Sequence, residues 1–199
     1  MWADGVYSGL RAEQTKLSAL VVIGVNERGE KHFLSIEDGV RESPQSWREV
    51  LLKSKSRGMN APQLAIGDGA MGFWAALEEI YGATRQQRCW MHKTMNVLNC
   101  FPTSAQPKAK QSLHGIWQAE TKVDAEAAFD LFITTYEAKY PKATLWLHKD
   151  REELMVFMTS RLRIGRAYVR ATRLNQASQP SVTGPNVRRA ACAATACCI

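Results

Sequence analysis

Apolar residues in the first 90 positions fall into short runs separated by Gly, Pro, Asn or Asp, as in strands that alternate with helices. The β-branched run Leu17–Val25 predicts a buried strand, Asn26–Glu30 a hairpin turn, and Lys31–Ile36 a second strand. Residues 2–7 predict an earlier strand. The chain is therefore expected to open with a three-stranded meander, a common start for an α/β domain.

The rest of the pattern predicts an alternation of elements and then a helical block. In order, we expect a helix that starts at Ser43–Pro44 and ends near Ser56, a strand over 63–66, a helix over 71–81 and a strand over 85–89. From Trp90 to Phe157 the apolar residues recur at helical spacing, with breaks at 101–103 and 140–141. After about residue 170 neither period is visible.

Composition and charge change this picture at one end only. The 199 residues carry a net charge of +7, but residues 158–199 contain seven Arg and no Lys, Asp or Glu. That leaves 19 basic and 19 acidic residues in 1–157, so the excess belongs to the C-terminal segment alone. No apolar run is long enough for a membrane span, and the first residues lack a secretory pattern. We therefore expect a cytoplasmic protein.

Two carboxylates are candidates for metal chemistry. Asp4 and Asp68 each precede a glycine and each falls at the predicted end of a strand. Carboxylates that meet at the ends of neighbouring strands bind hard cations such as Mg²⁺, and a pair of such ions supports phosphoryl transfer. The alternative is that each Asp-Gly pair is only a turn.

Cysteine, histidine and basic residues supply weaker signals. Cys89 and His92 stand three apart, which fits half of a zinc site or a packed thiol beside a hydrogen-bonded imidazole. The five cysteines are odd in number, which does not indicate a disulfide framework. A group of basic residues includes Arg88, Lys93, Lys108 and Lys110. It fits either a phosphate-binding patch with tryptophans nearby or ordinary surface charge.

Several uncommon short sequence motifs follow one another along the chain. These are WADGVY at 2–7, AIGDGAMGFW at 65–74, QRCWMHKTMNVL at 87–98, QPKAK at 106–110, IWQAET at 116–121 and AEAAF at 125–129. Together they resemble the core of Mutator-type bacterial insertion-sequence transposases over about residues 1–157. The resemblance implies a ribonuclease-H-like mixed-sheet core over 1–100, an α-helical insertion over 101–157 and an irregular tail over 158–199.

The resemblance also implies a chemistry and a set of roles. The family cuts and joins DNA with an Asp-Asp-Glu triad and two Mg²⁺ or Mn²⁺ ions, and Asp4 and Asp68 match the first two acids. Cys89 and His92 match its Cys-x-x-His signature, for which a supporting role is expected rather than metal binding. The implied partners are DNA, as element ends and target, and a second copy or an intact transposase, in the bacterial cytoplasm near the nucleoid, with no membrane.

The third acid has no match. The family's Glu stands in a string resembling Thr-x-Asn-Pro-Ile-Glu-Ser, and neither that string nor the Tyr-Asp-Phe-Pro that precedes it occurs here. If residues 158–161 are encoded ATG ACT TCC CGG, the frame two bases later reads Asp-Phe-Pro. If residues 172–176 are encoded ACC CGA TTG AAT CAA, the same frame reads Pro-Ile-Glu-Ser.

We therefore favour a one-base deletion near codon 158 over a genuine basic DNA-binding tail, and sequencing of the gene decides between them. Glu120, Asp150, Glu152 and Glu153 read as helix-surface charge rather than as a replacement acid. The first strand begins at the chain start, so the N-terminal DNA-recognition region of the family is expected to be missing.

Three functions follow from the sequence. The first is a transposase fragment that is catalytically incomplete on its own. The second is a non-catalytic remnant that binds DNA or dimerises and so modulates an intact transposase. The third is a defunct product whose exposed core faces aggregate.

Overall fold

A computed structural model describes residues 1–7, 17–26, 28–40, 42–69 and 72–159. The predicted tail, apart from its first two residues, lies outside this part of the chain. The described residues divide into two compact units, 1–86 and 87–159, with the division inside a strand. The family-based boundary near residue 100 stays a prediction.

The elements follow the predicted order. The strands are β1 (Trp2–Tyr7), β2 (Leu17–Val25), β3 (Lys31–Val40), β4 (Leu64–Gly67) and β5 (Arg85–Arg88). The helices are α1 (Pro44–Ser56), α2 (Phe73–Tyr81), α3 (Trp90–Leu98), α4 (Gln106–Trp117), α5 (Lys122–Tyr136), α6 (Pro141–Lys149) and α7 (Arg151–Thr159).

The strands form one mixed sheet in the order β3-β2-β1-β4-β5. The predicted meander is confirmed, since β2 pairs antiparallel with both β1 and β3. β4 then pairs parallel to β1, with Trp2 opposite Ile66. A mixed α/β fold is therefore confirmed, while its assignment as ribonuclease-H-like stays a prediction.

Alternation along the strands sends side chains to two faces of the sheet. On one face, which we call the helix face, Ala3, Val22 and Ala65 pack in a core with Trp47 of α1 and Phe73 of α2. The two rings meet edge to face with centroids 5.2 Å apart. The β2 side chains on the other face, such as Val21 and Ile23, are buried as well. Burial on both faces explains why the sequence of β2 is continuously apolar.

The outer strand β3 has an irregular pairing. Its register with β2 shifts between Val22 and Ile23, which marks a β-bulge. The Arg57 guanidinium, just after α1, donates to the carbonyl oxygen of Leu34 on β3. β3 extends four residues beyond the predicted Ile36, through a segment that lacks a clear apolar alternation.

The β2–β3 turn forms as its sequence predicts. The Asn26 Oδ1 atom accepts hydrogen bonds from the backbone N–H groups of Arg28 and Glu30, both at 3.0 Å. Gly29 has a φ of +84°, a conformation that L side chains rarely adopt. The turn therefore depends on a short polar side chain and on a glycine.

Helix α1 begins with a side-chain cap. The Ser43 hydroxyl accepts a hydrogen bond from the backbone N–H of Ser46 at 3.1 Å, and Pro44 starts the helix. We expect Ser43→Ala to lower the free energy of unfolding by about 1 kcal/mol, because that N–H loses its acceptor. Urea denaturation measures the loss. Gln45→Ala, at an exposed position of the same turn, is the control, and an equal loss in both variants would contradict the cap.

The second unit is helical, as predicted, and its breaks have local causes. The predicted breaks at 101–103 and 140–141 are confirmed, and two more occur near residues 118–121 and at Asp150. The sequence contains a signal for the break near residues 118–121. The Thr121 hydroxyl caps α5 by accepting a hydrogen bond from the Asp124 N–H at 3.1 Å, and threonine is a common N-cap residue. None of the helices in the described ranges is long and apolar enough to cross a membrane.

Helix α4 provides a pH-dependent group. Burial, and then the positive charge of Lys110, lower the pKa of His114 below its usual 6.5. As the pH falls below about 6.5, the unfolded chain binds this proton before the folded chain does. The free energy of unfolding should therefore rise with pH between the lowered pKa and about 6.5, and His114 should contribute no slope above that window.

Lys110→Ala tests the cause of this shift. The variant should bring the pKa of His114 closer to 6.5 and make the stability slope below pH 6.5 shallower. Denaturation curves at several pH values, together with the histidine resonances in NMR spectra, measure both effects. An unchanged His114 titration in the variant would show that Lys110 does not contribute.

Candidate functional site

One candidate carboxylate lies in β1, and the other directly follows the strand that pairs parallel to β1. Asp4 follows Trp2 by two residues within β1, and Asp68 follows the paired Ile66 by two residues, directly after the end of β4. Along β1 the Asp4 side chain alternates with that of Ala3, so it lies on the other face of the sheet. This face, opposite the helix face, is called the acid face below. Adjacent strands are about 5 Å apart, so the end of β4, which leads into Asp68, lies next to the strand that carries Asp4.

Asp4 does not lie where the sequence placed it. It stands within β1 rather than at its end, and it is only 7% exposed. The turn interpretation is therefore wrong for Asp4-Gly5, whereas Asp68-Gly69 does lie in a turn after β4. The Glu42 side chain fills the space that a Cβ of Gly5 would take.

Asp68 lies in a loop with several hydrogen bonds. Its Oδ1 atom accepts from the backbone N–H of Gly69 at 2.5 Å, and its carbonyl oxygen accepts from the Trp74 indole N–H at 2.7 Å. Farther along, the Gly72 N–H donates to the Glu42 carbonyl oxygen at 3.2 Å. The sequence analysis missed Trp74 and Glu42, although Trp74 closes the word AIGDGAMGFW.

Gly72 explains how the loop meets α1. A Cβ at Gly72 would collide with the backbone of Ser43 and Pro44, so only glycine permits this approach. Glu42 therefore contacts the strand of Asp4 through its side chain and the loop of Asp68 through its backbone.

The donor set fits a hard cation. Within the described ranges no group of three or more His, Cys, Asp or Glu residues could hold a metal ion. The candidate donors are two carboxylates, and Mg²⁺ is commonly held by one or two carboxylates with water and substrate phosphate completing its shell. The same search gives no support to a zinc site that includes Cys89 and His92.

Cys89 and His92 belong to the start of α3. Cys89 precedes the helix in an extended conformation, and its carbonyl oxygen accepts from the Lys93 N–H at 3.0 Å. Its thiol is free and half-buried, and His92 is also half-buried. The supporting role expected for the two side chains stays a prediction.

Lys93 forms a largely buried ion pair with Asp150. Its ammonium group lies 2.5 Å from the Asp150 carboxylate and donates to the Trp146 carbonyl oxygen at 3.1 Å. The Arg88 Nε atom lies 3.9 Å from the same carboxylate. Lys93 is 8% exposed, so in this arrangement its positive charge is paired with the Asp150 carboxylate. The interpretation of Asp150 as simple surface charge is wrong.

Other residues of the same motif bind α7. The fully buried Gln87 donates to the Leu154 carbonyl oxygen at 3.0 Å and accepts from the Phe157 N–H at 2.9 Å. The Trp90 indole N–H donates to the same Leu154 oxygen at 2.9 Å. Gln87 and Trp90 thus share one acceptor on α7, an arrangement that sequence spacing alone did not indicate.

The remaining basic candidates lie on α4. Lys108 is exposed and Lys110 is half-buried. Because they are two residues apart on a helix, they point in different directions.

Comparison with known proteins gives a consistent result. A transposase for insertion sequence element IST2 from Acidithiobacillus ferrooxidans is 53% identical over 146 residues, which is 73% of this chain and 49% of the relative. A transposase for IS6120 from Mycolicibacterium smegmatis is 45% identical over 157 residues, or 79% of this chain and 49% of the relative. A transposase for ISRM5 from Rhizobium meliloti is 26% identical over 156 residues, covering 77% and 39%.

The chain spans about half the length of the first two of these curated relatives and 39% of the third. A family model described as Transposase, Mutator family, matches residues 1–176, which is farther than the resemblance to residue 157. The deletion near codon 158 stays a prediction. The chain belongs to the Mutator family of transposases.

Proposed function

We propose that this chain carries the metal-binding core of an insertion-sequence transposase, which cleaves DNA strands and joins them to a target. The observation that supports the proposal is that Asp4 stands in β1 and Asp68 directly follows β4, the strand that pairs parallel to β1. Carboxylates so placed are suited to hold Mg²⁺ or Mn²⁺ between the protein and a DNA phosphate.

The chemistry divides between the ion and the chain. A bound divalent ion supplies an activated water and neutralises charge on the phosphate. Asp4 is held within a strand and Asp68 by its loop, so the protein contributes fixed positions for two anionic donors. A full two-metal centre commonly needs a further carboxylate, and within the described ranges no group of three or more His, Cys, Asp or Glu residues could hold a metal ion. We therefore propose that the 199-residue chain alone does not transfer strands efficiently.

Contacts to DNA would come from exposed or partly exposed basic groups. Lys108, Lys110 and Arg88 remain in the proposed set, whereas the buried pairing of Lys93 with Asp150 leaves it out. The proposed partners are element ends and target DNA, together with a second copy or an intact transposase. Cytoplasmic, nucleoid-associated action follows from DNA as the substrate.

A cleavage assay tests the activity. The chain is incubated with Mg²⁺ or Mn²⁺ and DNA that carries the element's terminal repeats, with Asp68→Ala as the control. We expect no efficient cleavage by either protein. Robust cleavage that Asp68→Ala abolishes would contradict the incompleteness and would support the metal-binding role of Asp68.

A non-catalytic remnant that modulates an intact transposase is the second candidate, and the two-carboxylate donor set favours it. Such a remnant would bind DNA with an affinity that falls as salt rises, and Asp68→Ala would leave that binding unchanged. Failure of the chain to bind DNA at low salt would count against it.

A further inference from the structure

The Trp74 side chain reaches the loop that carries Asp68, and we propose that Trp74 is a positioning residue for the metal-binding carboxylate. The inference rests on the proposed metal-binding function of Asp68. Nothing in the Asp-Asp-Glu pattern or in the comparisons assigns a role to this tryptophan.

A single peptide plane links the two side chains. The peptide between Asp68 and Gly69 carries the carbonyl oxygen that accepts from the Trp74 indole N–H at 2.7 Å. The N–H of that same peptide donates to the Asp68 Oδ1 atom at 2.5 Å. Rotation of this peptide would break both hydrogen bonds together, so Trp74 fixes the group that orients the carboxylate.

The position of the indole is itself fixed by packing. A Cβ at Gly67 would lie 3.2 Å from a carbon of the Trp74 ring and 3.4 Å from one of Phe73, which is tighter than most contacts of real Cβ atoms. The ring therefore lies against the backbone of the residue before Asp68. The Phe73 ring contacts it edge to face, with centroids 5.0 Å apart.

Trp74 therefore resembles the residues around a metal site that do not touch the metal but orient its ligands through hydrogen bonds. Groups that hydrogen-bond and orient a ligand commonly change metal affinity by about 10- to 100-fold when they are removed. Here the link passes through one peptide rather than directly to the carboxylate, so the lower end of that range applies.

The experiment separates the hydrogen bond from the packing. Trp74→Phe keeps an aromatic ring but removes the N–H donor, and Trp146→Phe makes the same change at a partly exposed site of the second unit. Mn²⁺ binding to the full 199-residue chain is measured by electron paramagnetic resonance. Thermal unfolding and the exchange rate of the Gly69 amide proton are measured on the same proteins.

We expect Trp74→Phe to bind Mn²⁺ about tenfold more weakly than the unaltered chain, with faster exchange at Gly69 and an unfolding midpoint close to that of Trp146→Phe. A purely structural tryptophan would lower the midpoint and leave the affinity of the folded protein unchanged. An Mn²⁺ affinity within twofold of the unaltered chain would therefore overturn the proposal.

Two further variants keep the outcome decisive. If Trp74→Phe does not fold, Gly67→Ala displaces the ring while the indole N–H is retained, and it should also weaken Mn²⁺ binding; unchanged binding would overturn the proposal. Asp68→Asn distinguishes failure of the proposed metal-binding function from failure of the role proposed for Trp74. If it binds Mn²⁺ as well as the unaltered chain does, the proposed function fails, whereas lost binding there with normal binding in Trp74→Phe removes only the role of the tryptophan.

Discussion

Asp68→Asn should reduce the affinity of the chain for Mn²⁺ on the order of a hundredfold, because the change removes one of the two negative charges available to the ion. A unit charge about 4 Å away contributes roughly 4 kcal/mol at the effective dielectric of a protein surface. Asp68 is partly exposed, so water replaces part of that loss. Titration of Mn²⁺, followed by electron paramagnetic resonance or calorimetry, gives the dissociation constants.

The matched control is Asp38→Asn, which neutralises an exposed carboxyl group on the edge strand β3. Its Mn²⁺ affinity should stay within about twofold of the unaltered chain, since that charge is not next to Asp4 in the sheet order. Asp4→Asn should weaken binding as Asp68→Asn does, provided that circular dichroism shows a folded protein. Equal affinities in the Asp38 and Asp68 variants would remove the basis for a metal site on the acid face.

Lys93→Met is expected to destabilise the second unit by about 3 kcal/mol. The substitution preserves most of the side-chain volume but leaves the Asp150 carboxylate, which is 14% exposed, without its nearest positive partner. Removing one member of a buried ion pair is costly because the other charge remains desolvated. Arg88 stays 3.9 Å from that carboxylate and limits the loss.

A double-mutant cycle separates this charge effect from packing. In the Asp150→Asn background no buried carboxylate remains, so Lys93→Met should cost much less than it does alone. Lys142→Met, at an exposed position of α6, should be nearly neutral. Urea denaturation, monitored with amide exchange in α7, measures the three effects, and additive losses would refute the role of the ion pair.

Local patterns predicted most of the fold because the elements are encoded by short-range physics. The β2 strand is recognisable from its β-branched run, and the start of α1 from Ser43–Pro44. β3 was predicted too short, because an edge strand is stabilised by pairing with β2 and needs no apolar alternation of its own. The break before α5 was missed because the apolar period was weighed more heavily than the Thr121 cap.

The candidate site could be predicted only in part from the sequence. Asp4 and Asp68 were identified as candidates, whereas the parallel pairing of β1 with β4, the strand that Asp68 follows, is encoded by no local signal. Lys93 was assigned to a phosphate-binding patch or to ordinary surface charge, because its partner Asp150 is 57 residues away in the chain. Long-range pairs of this kind depend on tertiary packing, which one sequence does not reveal.

The outer margin of the sheet has a consequence for self-association. A straight, open strand with exposed Phe33 and Ile36 would offer its free backbone groups to a neighbouring molecule. On β3 the irregular register bends the strand, and Arg57 occupies the carbonyl oxygen of Leu34. Stacking of another copy along this margin would have to straighten the strand and displace a guanidinium, so growth of intermolecular β-structure is disfavoured where the apolar side chains would otherwise promote it.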